Sequence, residues 1–282
     1  MWSGIIQFAD TKRLVASLGA ALLSLILAAC NNDSTVGPTP PPPVTNTPPV
    51  IQSLTLDSAR IEAGQDVQLT AVVQDAETPT SQLTYAWSAS PAGGTFTSQG
   101  AQATWHAPAM GSTPSTYTLT LTVTEKYMSA GVQKENTVTS SAQVHYNDSV
   151  AEITEITLDF LTDFSTYSVT PARCVRNFSD NCPGKTDELH DVEENRALFE
   201  ILGGTFSVSS VTLNSDRTAA DIVAPCTFRD IVKASGVHEA VVGTCLLTAV
   251  YEGWQWFLCE SHFSWEGTTT SSLRTRLRYS HP

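Results

Sequence analysis

Throughout residues 48–147 the chain alternates apolar and polar side chains with a period of two, without a single cysteine. Val67, Leu69, Ala71 and Val73 alternate with mostly polar neighbours. So do Leu83, Tyr85 and Trp87, then Tyr117, Leu119, Leu121 and Val123, and finally Val138, Ala142 and Val144. Successive side chains of a strand point to opposite faces, so this pattern buries one face and wets the other. Turn signals separate the runs at Glu62-Ala63-Gly64, Glu77-Thr78-Pro79, Ala92-Gly93-Gly94 and 111–114. About seven short strands at this spacing imply an antiparallel β-sandwich. Its core must hold without disulfides, and Trp87 is its expected central residue.

The N-terminus reads as an address. Lys12 and Arg13 precede an uncharged run, Leu14 to Ala29. That run falls short of the about 20 apolar residues of a comfortable span and fits the apolar region of an export signal. It ends in Leu27-Ala28-Ala29-Cys30, which resembles a bacterial lipobox. The resemblance implies that residues 1–29 are a signal peptide and that Cys30 becomes the lipidated first residue. The alternative is a plain signal or anchor with an accidental cysteine. Two or more acyl chains, at about 0.8 kcal/mol per buried CH₂, anchor a protein stably. The expectation is a cell-envelope protein whose membrane partner is reached by lipid, without a spanning helix. Asn31, where an Asp would resemble an inner-membrane retention signal, points to the outer membrane in a host with two membranes.

Residues 30–47 hold the lipidated cysteine and a proline-rich tether with a run from Pro40 to Pro43. Such composition builds no core; it favours polyproline II and a semi-rigid spacer. Lys+Arg 15 against Asp+Glu 28 gives a net charge of -13. That balance argues against a nucleic-acid partner, which calls for a basic patch.

Within the sandwich segment, Leu83-Thr84-Tyr85-Ala86-Trp87, Gly94-Thr95-Phe96, Ala103-Thr104-Trp105 and Tyr117-Thr118-Leu119-Thr120-Leu121-Thr122-Val123 resemble a PKD-type immunoglobulin-like domain. Ser88-Ala89-Ser90 replaces that family's usual acidic and glycine motif. The resemblance implies a spacer or surface-interaction module and no catalysis. Asp75 and Glu77 offer two carboxylates to a Ca²⁺ that wants six to eight oxygens, so a solvated acidic turn is the preferred reading.

Residues 148–282 carry the other five cysteines. Ile153, Ile156, Phe160, Leu161 and Phe164 stand at helical spacing, as do Leu189, Val192, Arg196 and Phe199, with Thr186 as an N-cap. Beyond Leu202-Gly203-Gly204 the period becomes two. Strands are expected over 206–213 with a bulge at Ser209-Ser210, then over 218–224, 226–232, 238–251, 254–265 and 272–279. Helices followed by a run of antiparallel strands is the α+β pattern. The fold class is therefore multi-domain: an all-β sandwich, then an α+β domain with helices on a curved sheet. The element order and the Tyr251-Glu252-Gly253-Trp254-Gln255-Trp256 hairpin resemble the NTF2-like cone fold. A second sandwich or an unrelated α+β domain is the alternative.

An exported chain can form disulfides. Cys174 and Cys182 flank a short polar loop and are the first pair expected. Of Cys226, Cys245 and Cys259, at most one pair forms unless one of them reaches the loop. If Glu252-Gly253 is a two-residue turn, Cys245 faces Glu260, and Cys226 with Cys245 is the preferred pair. No CxxC or paired-His spacing supports zinc.

That same register points Trp254, Trp256, Leu258, Glu260 and His262 to one face, joined by Leu247, Ala249 and Tyr251. Tyr251, Trp254, Trp256, Glu260 and His262 are thus the candidate ligand-binding set, with Glu260 and His262 the weak candidates for an acid/base pair. The plainer reading is an aromatic core with a wet rim. Phe257, Cys259, Phe263 and Trp265 make the other face apolar as well, which calls for a homodimer or a tight interdomain contact. His190 and Glu194 sit at i, i+4 and read as part of a solvated acidic helix face rather than as metal ligands. Arg274, Arg276 and Arg278 form a cationic stripe that discourages edge pairing. No Gly-x-Gly-x-x-Gly, P-loop, His-Glu-x-x-His or Gly-x-Ser-x-Gly occurs. The combined expectation is an envelope lipoprotein acting as a non-catalytic binding module for a surface glycan or protein, with no cofactor and no metal. The alternatives are a small cone-fold enzyme and a structural spacer.

Overall fold

A computed structural model describes residues 45–266. The signal, Cys30, most of the tether, and the strand expected over 272–279 with its three arginines lie outside these residues. The described residues from Asn46 onward form one compact unit, mostly β-sheet with few helices.

Eight strands come first: β1 (Val50–Leu56), β2 (Arg60–Glu62), β3 (Asp66–Gln74), β4 (Thr84–Ser90), β5 (Thr95–Gln99), β6 (Gln102–His106), β7 (Ser115–Ser129) and β8 (Val132–Asn147). They form two four-stranded sheets, ordered β1-β3-β6-β5 and β2-β8-β7-β4. Only β2 with β8 is parallel. Ala130 and Gly131, at φ 50° and 77°, make the two-residue turn of the long β7–β8 hairpin. Left-handed backbone at both turn positions matches the twist of the paired strands. Val67, Leu119, Leu121, Val144 and Tyr146 fill the space between the sheets. The central tryptophan is Trp105, fully buried on inner strand β6. Trp87, expected there, lies on edge strand β4, half-buried, where it stacks on Phe96 and donates to the Gly100 carbonyl at 3.2 Å.

Strand β8 runs into α1 (Ser149–Ser165) with one residue between them. Asp148 caps that helix, its carboxylate accepting from the Ala151 N–H at 3.1 Å. Then follow α2 (Pro171–Cys174), α3 (Gly184–Leu198), β9 (Phe199–Phe206), β10 (Ser210–Leu213), β11 (Ala219–Val232), β12 (Val237–Glu252) and β13 (Gln255–Trp265). The sheet order is β10-β11-β12-β13, with β9 also on β11. Helices α1 and α3 cover one face, and Phe160, Phe178, Val192, Ile222, Phe228, Leu247 and Leu258 form the core between. No described helix is long and apolar enough to cross a membrane.

Four local expectations change. Thr186 is not the cap of α3, which begins at Gly184 after Pro183. The phase slip near Ser209 is a break between β9 and β10, not a bulge within one strand. The two strands expected across Pro225 are one, β11. The Pro225 carbonyl accepts from Ser207 N in that same break, so the missing proline N–H falls where the ladder is already interrupted. The β12–β13 turn is Gly253-Trp254, at φ 55° and 70°, with Glu252 opposite Gln255.

The disulfide joins Cys182 to Cys259, Cα atoms 5.3 Å apart, in place of the expected Cys174–Cys182 bridge. The loop after α2 lies along β13: Ser179 N donates to the Leu258 carbonyl and Leu258 N to the Asn177 carbonyl, each at 2.8 Å. That short parallel pairing carries Cys182 to Cys259. Gly184 permits the approach, since a Cβ there would overlap the Cys259 carbonyl oxygen. Cys174 instead keeps a buried thiol that accepts from the Arg196 guanidinium at 3.3 Å. Cys226 and Cys245, also expected as a bridge, are neighbouring buried thiols.

Candidate functional site

A bulge in β13 decides where the candidate residues go. Ala249 faces Leu258 but Thr248 faces Glu260, so Cys259 has no partner in the ladder. An extra residue reverses the facing of everything after it. Trp256 and Leu258 therefore point into the core, and past the bulge Phe263 and Trp265 do so, packing with Phe228. Glu260 and His262 are exposed. The expected Trp/Glu/His face is divided, and no acid/base pair stands beside the aromatics. The same reversal removes Phe263 and Trp265 from the outer apolar face. Val242 and Leu246 of β12 remain exposed on that face.

Tyr251, Trp254 and Trp256 meet the sandwich instead. The Arg60 guanidinium of β2 lies 3.5 Å from the Tyr251 ring centroid and 5.9 Å from that of Trp256. It pairs with Glu62 at 2.7 Å and donates to the Ser149 hydroxyl at 3.0 Å and the Arg217 carbonyl at 2.8 Å. The Ser149 hydroxyl donates to Glu62 and accepts from the Trp256 indole N–H, both at 2.8 Å. The Tyr251 hydroxyl donates to Asn147 Oδ1 at 2.6 Å, and Asn147 Nδ2 donates to Glu152 at 2.9 Å. Thr113 also donates to Glu152. Trp254 stacks on His145, centroids 3.8 Å apart and planes 17° apart. Burial pushes the Glu152 carboxyl up, against the bonds from Thr113 and Asn147. Burial likewise raises Tyr251, with Arg60 opposing it. A cation over an aromatic face contributes about 2 kcal/mol when desolvated, and severing a buried ion pair costs about 3–5 kcal/mol. These residues, and not the outer sheet face, are where the sandwich strands meet the β12–β13 hairpin and the start of α1.

Glu188 is the interior group that the sequence pattern missed. It lies on the inner stripe of α3 one turn before Val192 and accepts from the Ser261 hydroxyl of β13. Complete burial pushes its carboxyl up to about 8, opposed by the Ser261 bond. Its position four residues before Val192 was the available signal, masked by the acidic run around it.

The carboxylates and histidine weighed as metal ligands make the following contacts. Asp75 accepts from Glu77 N at 2.9 Å and Thr78 N at 2.6 Å, shaping a turn. Glu77 accepts from the Thr47 hydroxyl at 2.8 Å. His190 lies 3.0 Å from Glu194 on the exposed side of α3. Among the described residues no three His, Cys, Asp or Glu side chains cluster as a metal site. The sandwich carries an open groove lined by Ala71, Val73, Thr80, Leu83, Tyr85 and Ala101, in which the Tyr85 hydroxyl donates to the Thr80 carbonyl at 3.1 Å.

No protein-family model matches the chain, and no curated protein does. Several solved structures resemble part of it. A ketosteroid isomerase-like protein from Erwinia carotovora atroseptica is 14% identical with TM-score 0.38, covering 43% of this chain and 99% of its own. An NTF2-like superfamily protein from Salmonella enterica serovar Typhimurium is 13% identical with TM-score 0.34, covering 44% and 94%. A hexachlorocyclohexane dehydrochlorinase is 8% identical with TM-score 0.35, covering 42% and 86%.

Proposed function

We propose that this chain is an envelope lipoprotein, acylated at Cys30, whose PKD-like sandwich and NTF2-like α+β part act together as a non-catalytic interaction module. The observation that carries this reading is the buried joint around Arg60. It takes up Tyr251 and Trp256, the aromatic residues best suited to line a cavity, while Glu260 and His262 face solvent. Residues spent on fusing two parts into one body serve presentation better than turnover. The open groove beside Tyr85 is the concave surface offered to a partner, a surface glycan or protein. The exposed Val242 and Leu246 offer a second surface, suited to a homodimer.

The test has two arms. Metabolic labelling with a palmitate analogue should mark the wild-type chain and leave Cys30→Ala unmarked and displaced from the membrane fraction. Native mass spectrometry of the protein from its own host should then show the oligomeric state and any retained ligand. An unlabelled wild type overturns the anchor; release of a chemically altered substrate overturns the non-catalytic role.

A further inference from the structure

We propose that the outer end of the β7–β8 hairpin dips into an anionic phospholipid surface, with Met128 and Val132 at the acyl boundary and Lys126 and Lys134 at the phosphates. Strand β4 pairs with β7 only as far as Thr124, and β2 pairs with β8 only over residues 145–147. Past Thr124 and Thr137 the two strands continue as a ribbon to the turn at Ala130-Gly131, and no other described strand pairs with it. Residues 130–135 are all exposed. Met128 is 67% exposed and Val132 61%, so the tip holds two large apolar side chains that serve no core.

The placement of charge identifies the partner. Over residues 48–147 the only Lys or Arg residues are Arg60, Lys126 and Lys134. Arg60 is paired with Glu62 in the joint, so both remaining cations stand on the ribbon. Each begins two residues, about 7 Å, behind an apolar residue of the tip. A lysine stem can lie along the acyl boundary while its ammonium meets an anionic headgroup. Glu135 lies 3.4 Å from Lys126 on an exposed surface, where such pairs are weak, and Lys134 faces Tyr127 instead of a carboxylate. The two faces of the ribbon are alike: Lys126 and Met128 share one, and Tyr127, Val132 and Lys134 share the other. A protein groove would read one face, whereas a lipid surface surrounds the tip and reads both. The chain bearing Cys30 joins the sandwich at Asn46, which donates to Glu125 at 2.8 Å at the foot of this ribbon. Acylation of Cys30, on which this orientation rests, keeps the tip at high local concentration against the bilayer, so a shallow contact suffices.

In the test, a photoactivatable diazirine residue replaces Met128 in the full chain and, in a second chain, Glu260, which is exposed on the α+β part. Each chain is reconstituted in vesicles of phosphatidylethanolamine and phosphatidylglycerol, irradiated and mapped by mass spectrometry. The expected result is a phospholipid adduct at position 128 and none at 260. The yield at 128 should fall about five-fold for each lysine removed by Lys126→Gln and Lys134→Gln. No adduct at 128, an equal adduct at 260, or a yield unmoved by the lysine variants overturns the proposal. Irradiation of whole envelopes that links position 128 to another polypeptide also overturns it, in favour of a protein partner. Labelling the same chains with a palmitate analogue separates the two readings. A labelled chain without the adduct leaves acylation standing and removes the tip contact; an adduct on an unlabelled chain does the reverse.

Discussion

Replacing Glu188 with Gln should flatten the dependence of stability on pH. In the unfolded chain this carboxyl titrates near its ordinary value of 4.5, and in the folded chain burial raises it to about 8. Below both values it is protonated in either state and costs nothing. As pH rises past 4.5 the unfolded state loses the proton and the folded state keeps it. The folded state then binds more protons, and stability falls with pH until about 8, where both states are ionised. At about 1.4 kcal/mol per pKa unit, the full loss is roughly 5 kcal/mol, of which about 3 kcal/mol is present at pH 7. Glutamine keeps an oxygen to accept the Ser261 hydroxyl and never ionises. Urea unfolding of wild type and Glu188→Gln near pH 5 and near pH 8 measures the effect. The two proteins should diverge by several kcal/mol as pH rises, in favour of the variant. Parallel stability curves would refute the argument that Glu188 is held uncharged in the interior.

Three further variants probe the arrangement. Arg60→Ala should lower stability by about 3–5 kcal/mol in thermal or urea unfolding, because it strands Glu62 in a buried joint and uncovers the Tyr251 ring. Gly184→Ala should cost about 1–3 kcal/mol and lower the yield of the Cys182–Cys259 bridge in a disulfide map, since the added methyl overlaps the Cys259 carbonyl. Glu260→Gln with His262→Gln should change stability by no more than about 0.5 kcal/mol, and should leave any ligand retained in native mass spectrometry unchanged, because both side chains are exposed.

The sandwich was legible because its alternation is long and one face is fully buried, which fixes Val67, Leu69, Leu119 and Leu121 inward. The helices were legible to within a few residues for the same reason at their own period. The β13 face was not. Moving the turn from Glu252-Gly253 to Gly253-Trp254 slides the pairing by two residues and leaves Trp256 and Leu258 on the face of Tyr251 and Ala249; the bulge at Cys259 is what reverses the residues after it. That one extra residue, which the hydrophobic pattern does not carry, is enough to send Glu260 and His262 outward. The disulfide was misassigned because sequence proximity favours Cys174, whereas the partner is chosen by a pairing between Asn177–Ser179 and Leu258 that has no local signature. The joint was hidden for a related reason. Arg60, Asn147 and Glu152 are ordinary polar residues whose importance appears only when a strand near the start of the sandwich meets the last hairpin.

The entry point of the sandwich has a mechanical consequence. Asn46 donates to Glu125 at 2.8 Å, near one end of β7, and the Arg60 joint is reached from the other end, where Ser115 faces Tyr146. Ten residues of extended strand separate the two, about 33 Å at the usual rise per residue. The eight strands thus form a strut between Asn46 and the α+β part. Because β8 passes into α1 with only Asp148 between, a sideways pull at the far end would be felt at Asn46 instead of being lost in a hinge.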